Sequence, residues 1–147
     1  MTVLIDADGC PVVRITVEVC RRYGIRCIIF CDTAHEYHFD HAETVVLDKG
    51  ADSVDYAIVN HAAPGDIVIT QDYGLASMSL AKNLRILHQD GWEYTEGNID
   101  TLLAQRHTAH RLRSAKVHMK GPSKRTPAQD TAFRDSIERM IQTIVHG

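Results

Sequence analysis

Short apolar runs recur along the chain, and between them lie stretches with helical spacing. Val3-Leu4-Ile5 is apolar throughout and ends in Asp6-Ala7-Asp8-Gly9, which predicts a buried parallel strand. Pro11 suits the first turn of a helix, apolar residues from Val12 to Cys20 supply its buried face, and Gly24 stops it. Arg26–Cys31, Thr44–Leu47, Asp66–Thr70 and Leu84–Leu87 predict four further strands. Helices are expected from Asp52 to Ala62, ended by Pro64-Gly65, and from Leu75 to Lys82. Residues 32–43 are polar and histidine-rich and read as a loop. Trp92 and Tyr94 alternate as in an edge strand packed on the core.

Short apolar strands alternating with helices define an α/β fold: three layers, a mostly parallel sheet and helices on both faces. Beyond the last strand, Asn98 to about Arg113 predicts a helix with Ile99, Leu102 and Leu103 on one face. Residues 114–125 contain Gly121-Pro122 and read as a basic loop. Thr126-Pro127-Ala128-Gln129 is a capping box with proline at the first helical position. Phe133, Ile137, Met140, Ile141 and Ile144 then form one apolar stripe, so a helix over about 127–145 is expected to close the domain's own core. Residues 1–147 read as a single domain.

The 147 residues are 44% hydrophobic and 24% charged. That balance excludes a collagen, a coiled-coil rod and a wholly disordered chain. There is no apolar run of the roughly 18 residues that a membrane span needs. The first carboxylate, Asp6, comes too early for a signal peptide, so a cytoplasmic location is expected. Cys10, Cys20, Cys27 and Cys31 form no CxxC pair, which favours reduced, buried thiols over a structural zinc site.

Charge is strongly partitioned. Residues 1–100 carry 7 Lys and Arg against 16 Asp and Glu, whereas residues 101–127 carry 7 basic residues and no acid. The basic strip comprises Arg106, Arg111, Arg113, Lys116, Lys120, Lys124 and Arg125, interleaved with His107, His110 and His118. An acidic body with a basic strip suits a carboxylate site and a phosphate-rich partner. A solvated surface that keeps the protein soluble is the plain alternative.

In open parallel sheets the ligand crevice lies at the carboxyl ends of the strands. Acids stand there repeatedly: Asp6 and Asp8 after the first strand, Asp48 after the third, Asp52 and Asp55 at the start of the following helix, and Asp72 after the fourth. Converging carboxylates repel one another and call for a cation, and an all-oxygen donor set suits Mg²⁺ or Mn²⁺ rather than zinc. Local roles compete at most positions. Asp8-Gly9 suits a turn, and Asp52 and Asp72 suit helix caps. Asp6 ends a buried strand and has no capping role, so function is favoured there.

The segments Asp6-Ala-Asp-Gly-Cys-Pro-Val12, Lys49-Gly-Ala-Asp-Ser-Val-Asp55 and Gly65-Asp-Ile-Val-Ile-Thr-Gln-Asp72 resemble those of the bacterial YaiI/YqxD family. The resemblance extends over nearly the whole chain, through Leu75-Ala76, Asn98-Ile99-Asp100, Arg106 and Gly121-Pro122. That family has no established activity. More distantly, the chain is similar to PIN-like nuclease domains, which use an acid after strand 1, an acid on a central helix and a Thr-x-Asp element after a later strand. The matching positions are Asp6, Asp52 or Asp55, and Asp72 after Thr70, with Asp8 as an added acid. The central acid is aspartate rather than glutamate, and position 74, often acidic or polar in such domains, is glycine. This resemblance implies metal-dependent cleavage of RNA or DNA; with the oxygen-only donors it gives the expectation of a Mg²⁺- or Mn²⁺-dependent nuclease, with RNA favoured over DNA as substrate. Its metal ligands would be Asp6, Asp8, Asp52 and Asp72, with Asp55 as a further catalytic acid, and the basic strip would track the phosphates.

Three other readings compete. The scaffold could bind nucleic acid or a protein without catalysis. Leu4-Ile-Asp-Ala-Asp-Gly9 also resembles the nucleophile motif of haloacid-dehalogenase-like phosphatases, but Lys82 has no acidic pair downstream. His35, His38 and His41 with Cys31 or Asp32 could hold a transition metal, although a polar surface loop is the favoured reading. Cys10 stands near a helix start, a setting that can lower a thiol pKa; a small residue packed beneath the site is the plainer reading.

Overall fold

The computed structural model describes residues 1–33, 37–48, 53–114 and 124–146, without the side chains of 108–110 and 112–114. The elements run β1 (Thr2–Asp6), α1 (Val13–Tyr23), β2 (Arg26–Asp32), β3 (Ala42–Leu47), α2 (Ser53–His61), β4 (Ile67–Ile69), α3 (Tyr73–Ala81), β5 (Arg85–Leu87), β6 (Glu93–Tyr94), α4 (Glu96–Ser114) and α5 (Pro127–His146). The six strands form one sheet in the order β3-β2-β1-β4-β5-β6. Every pairing is parallel except β5 with β6. The expected three-layer α/β architecture is therefore present.

Alternation along the central strand builds the two cores, because successive side chains point to opposite faces. Val3 and Ile5 join Val13, Val17 and Cys20 of α1 and Phe133, Ile137 and Ile141 of α5. Leu4 faces the other way and joins Ile58 of α2, Leu75 and Ala76 of α3 and Ile99 of α4. The apolar stripe of α5 thus covers the chain's own sheet, as its spacing predicts.

Local signals set the helix ends. Gly24 adopts φ +66°, and the amides of Gly24 and Ile25 bond back to Arg21 and Cys20, the left-handed closure that glycine permits. Thr95 and Asn98 form a reciprocal box at the start of α4, with bonds of 2.9 and 3.2 Å. Of the box predicted at Thr126, the arm from the Thr126 amide to Gln129 is made, at 2.8 Å. Some boundaries differ from expectation. Strand β3 starts at Ala42, within the expected loop, because its ladder with β2 runs from Cys27–Ala42 to Asp32–Leu47. Helix α3 starts at Tyr73, because Asp72 caps it.

The strand order fixes where a ligand crevice can form. From β1 the chain moves outward through β2 to β3, and from β4 it moves to the other side through β5 and β6. The reversal falls between β1 and β4, and the carboxyl ends of those two strands flank the topological switch point.

Candidate functional site

Asp6 ends β1 and Thr70 follows β4, so the two face each other across the switch point. The buried Thr70 hydroxyl donates to Asp6 Oδ2 at 2.7 Å and accepts from the Asp72 amide at 3.0 Å. One hydroxyl thereby links the β1 acid to the β4 loop. Burial, the largest cause, lifts the Asp6 pKa from an ordinary 3.8 to about 6; Thr70 opposes the rise, and Asp55, Asp72 and Asp8 add to it. Four acids that the sequence scatters over 67 positions therefore share one electrostatic field. Asp52 lies outside the described residues.

Two of these acids also carry the local roles foreseen for them. Asp8 and Gly9 occupy a turn closed by a 3.0 Å bond from the Cys10 amide to the Ala7 carbonyl. Gly9 holds φ +70°, and a Cβ there would stand 3.1 Å from Gln71 Nε2. The β1 and β4 loops thus touch. Asp8 Oδ1 is buried and finds no hydrogen-bond partner among the described residues. Asp72 caps α3, its Oδ1 accepting from the amides of Gly74 at 2.7 Å and Leu75 at 3.2 Å. The same oxygen faces Arg106 Nη1 of α4 at 3.7 Å.

Among the described residues, no three His, Cys, Asp or Glu side chains lie close enough to hold one metal ion. The arrangement does not fit a closed cage or a zinc site. It does fit a hard cation that keeps most of its waters and takes one or two carboxylates. The orphaned Asp8 oxygen and the elevated Asp6 pKa are the marks of such an open anionic crevice.

The basic residues divide. Arg106, Arg111 and Lys124 are exposed. Arg125 is not free to track phosphate: it pairs with Asp130 at 2.7 Å and Asp90 at 2.9 Å and donates to the Gln89 carbonyl at 2.8 Å. It anchors the start of α5 to the loop after β5, and its place in the phosphate-binding strip is corrected accordingly. Lys116, Lys120 and the side chain of Arg113 lie outside the described residues, as does most of the expected basic loop at 114–125.

Residues 4–143 match the family described as "Uncharacterized BCR, YaiI/YqxD family". The chain belongs to that family. A UPF0178 protein of Exiguobacterium sibiricum is 46% identical over 141 residues, covering 96% of each chain. One from Alkaliphilus oremlandii is 46% identical over 134 residues, 90% of this chain and 86% of the relative. One from Natranaerobius thermophilus is 44% identical over 142 residues, 96% of each. No solved structure matches the chain.

Within this YaiI/YqxD protein the competing constellations come apart. His41 Nε2 bonds the Ile25 carbonyl at the amino end of β2, at 3.1 Å, whereas Cys31 and Asp32 stand at that strand's carboxyl end. His35 lies outside the described residues. Lys82 caps the end of α3 and donates to the Val59 carbonyl. It therefore sits at the amino edge of the sheet, away from Asp6 and Asp8, where it cannot serve a phosphatase mechanism. Cys20, Cys27 and Cys31 are buried, and none of the four cysteines forms a disulfide. Burial pushes the Cys10 thiol up to about 11, so its place near a helix start does not activate it. Among the described residues, no helix is long and apolar enough to cross a membrane.

One site residue has only a weak signal in the sequence. Tyr94 is fully buried, as expected of an edge strand on the core, yet its hydroxyl finds no hydrogen-bond partner among the described residues. Its pKa is pushed up, first by burial, then by Tyr73, Asp72 and Asp6. The hydroxyl therefore lies within the field of the same carboxylates. Alternation with Trp92 predicts its burial but not the destination of its oxygen.

Proposed function

We propose that this YaiI/YqxD protein is a Mg²⁺- or Mn²⁺-dependent nuclease that hydrolyses phosphodiesters, in RNA rather than DNA. The observation that carries this reading is the Asp6–Thr70–Asp72 link across the switch point, with Asp8 and Asp55 in the same field. On the resemblance to PIN-like domains read from the sequence, Asp6, Asp52 or Asp55, and Asp72 would take the acid positions. Asp6 and Asp72 are the first-choice ligands, and Asp8, Asp52 and Asp55 support them. Bound there, a hard divalent cation supplies Lewis acidity and an oriented water to a phosphodiester.

The chain's own residues divide the remaining work. Thr70 holds the Asp6 carboxylate in one orientation through its 2.7 Å bond. Asp8 offers an oxygen that is unpartnered among the described residues. Arg111 and Lys124, both exposed, would engage backbone phosphates together with Lys116 and Lys120. Binding through such contacts weakens steeply with salt, because each neutralised phosphate releases counterion.

Calorimetry with Mn²⁺ on wild type and Asp6→Asn, with cleavage of short RNAs on the same samples, tests the proposal. Metal binding and cleavage both lost in the variant are expected. A folded wild type that binds no Mn²⁺ would refute the metal site and leave the basic surface as a plain binding element. Mn²⁺ binding without cleavage of any RNA or DNA strand would support a non-catalytic nucleic-acid-binding protein. The double duty of Asp72 as helix cap and partner of Arg106 favours that second reading.

A further inference from the structure

Arg106 stands apart from the other exposed basic residues. It projects from α4 to within 3.7 Å of Asp72 Oδ1, the oxygen that also caps α3. Gly74 lies beside this contact. A Cβ at position 74 would lie 3.2 Å from Asp72 Oδ1 and 3.8 Å from Arg106 Nη1. A Cβ there would press on the capping oxygen while standing at ordinary contact distance from the guanidinium. Among the described residues the fully buried Tyr94 hydroxyl finds no hydrogen-bond partner, and Asp72 and Asp6 contribute to the rise of its pKa.

Resting on the nuclease reading, we propose that Arg106 is a positioning residue that exchanges partners: it neutralises Asp72 when no divalent cation is bound and turns to a substrate phosphate when the cation occupies the carboxylates. A guanidinium suits both partners, because its fork of N–H donors matches carboxylate and phosphate alike. Its side chain is 57% exposed, so it can swing without unpacking the core. The exchange couples the two ligands. The metal frees Arg106 for phosphate, and phosphate draws Arg106 away from the metal's carboxylate. By linkage, Mn²⁺ and RNA must then raise each other's affinity by the same factor.

The experiment measures Mn²⁺ binding by calorimetry, and binding of a short single-stranded RNA by fluorescence anisotropy with Mn²⁺ or with EDTA. It uses wild type, Arg106→Gln, Arg106→Lys, Asp72→Asn and Arg111→Gln. Asn keeps the helix cap at position 72, and circular dichroism checks that each variant is folded. In Arg106→Gln, Mn²⁺ should bind about two- to fivefold more tightly, the range expected when an exposed ion pair no longer competes. RNA affinity in that variant should fall in Mn²⁺ and stay unchanged in EDTA, so that the coupling between the two ligands disappears. Arg106→Lys should retain part of the coupling. Asp72→Asn should raise RNA affinity in EDTA by releasing Arg106. Arg111→Gln should weaken RNA binding equally in both conditions.

Unaltered Mn²⁺ affinity and coupling in Arg106→Gln would overturn the exchange while leaving the metal site intact. A wild type that binds no Mn²⁺ would overturn the exchange together with the metal reading, and the absence of a metal isotherm would identify that case.

Discussion

Replacing Asp6 by Asn should stabilise the metal-free protein. The Asp6 pKa rises from 3.8 to about 6 on folding, so over that interval the folded chain holds a proton that the unfolded chain releases. The sign follows from linkage. The contribution of Asp6 is most favourable below about pH 3.8 and is lost as pH rises through about 6. At neutral pH the loss amounts to about 3 kcal/mol, at 1.36 kcal/mol per pH unit. Asn carries no charge, and its carbonyl can still accept the Thr70 hydroxyl. Urea unfolding in EDTA between about pH 4 and pH 8, followed by the fluorescence of Trp92, checks this. The variant should match wild type at the acid end and exceed it by up to about 3 kcal/mol at the neutral end. Most of the gain should persist in high salt, because burial is the largest cause and ions do not screen it. A difference that is independent of pH, or a variant less stable than wild type at neutral pH, would refute the reasoning. Mg²⁺ at about 100 times its Kd should then stabilise wild type by about 2.7 kcal/mol and leave the variant unmoved.

Thr70→Val removes the hydroxyl that opposes the rise of the Asp6 pKa, so carboxyl NMR should show Asp6 titrating above its wild-type value, with Thr70→Ser close to wild type. Arg125→Gln breaks two carboxylate pairs at a side chain only 20% exposed. It should cost about 1–3 kcal/mol in urea unfolding while leaving the salt dependence of RNA binding unchanged. Gly91→Ala combines φ +95° with a Cβ 2.8 Å from the Ala132 carbonyl oxygen on α5, and a loss of about 2–4 kcal/mol is expected. Gly24→Ala, with φ +66° and nothing within 4 Å of the new Cβ, should lose only about 1–2 kcal/mol.

Much of the architecture was legible because buried parallel strands must be apolar on both faces, and such runs stand out between glycine and proline breaks. Asp6 was legible for the same reason, as an acid at the end of an apolar run with no capping task. The order of the strands was not, since the apolar runs do not encode their neighbours. Arg125 shows the same limit. In sequence it belongs to a run of seven basic residues, but one of its partners, Asp90, lies 35 positions away. Only the fold separates this anchor from the exposed Lys124 beside it. Asp72 was ambiguous for a chemical reason: helix cap and site acid call for the same short carboxylate at the end of a strand, and here one residue does both.

The energetics of the crevice follow from this double use. A protein selected only for stability would not bury an acid at the end of its central strand where three others raise its pKa further. Thr70 offers Asp6 one hydroxyl, and Arg106 reaches Asp72 only at 3.7 Å from a largely exposed position. Neither removes the elevation of the Asp6 pKa. The strain is concentrated at the switch point, where the strand order opens the sheet to a ligand. A cation drawn into that place would relieve the repulsion among the acids and release Arg106 together. On this argument, the charge conflict that weakens the empty crevice is the same one that would couple metal binding to phosphate binding.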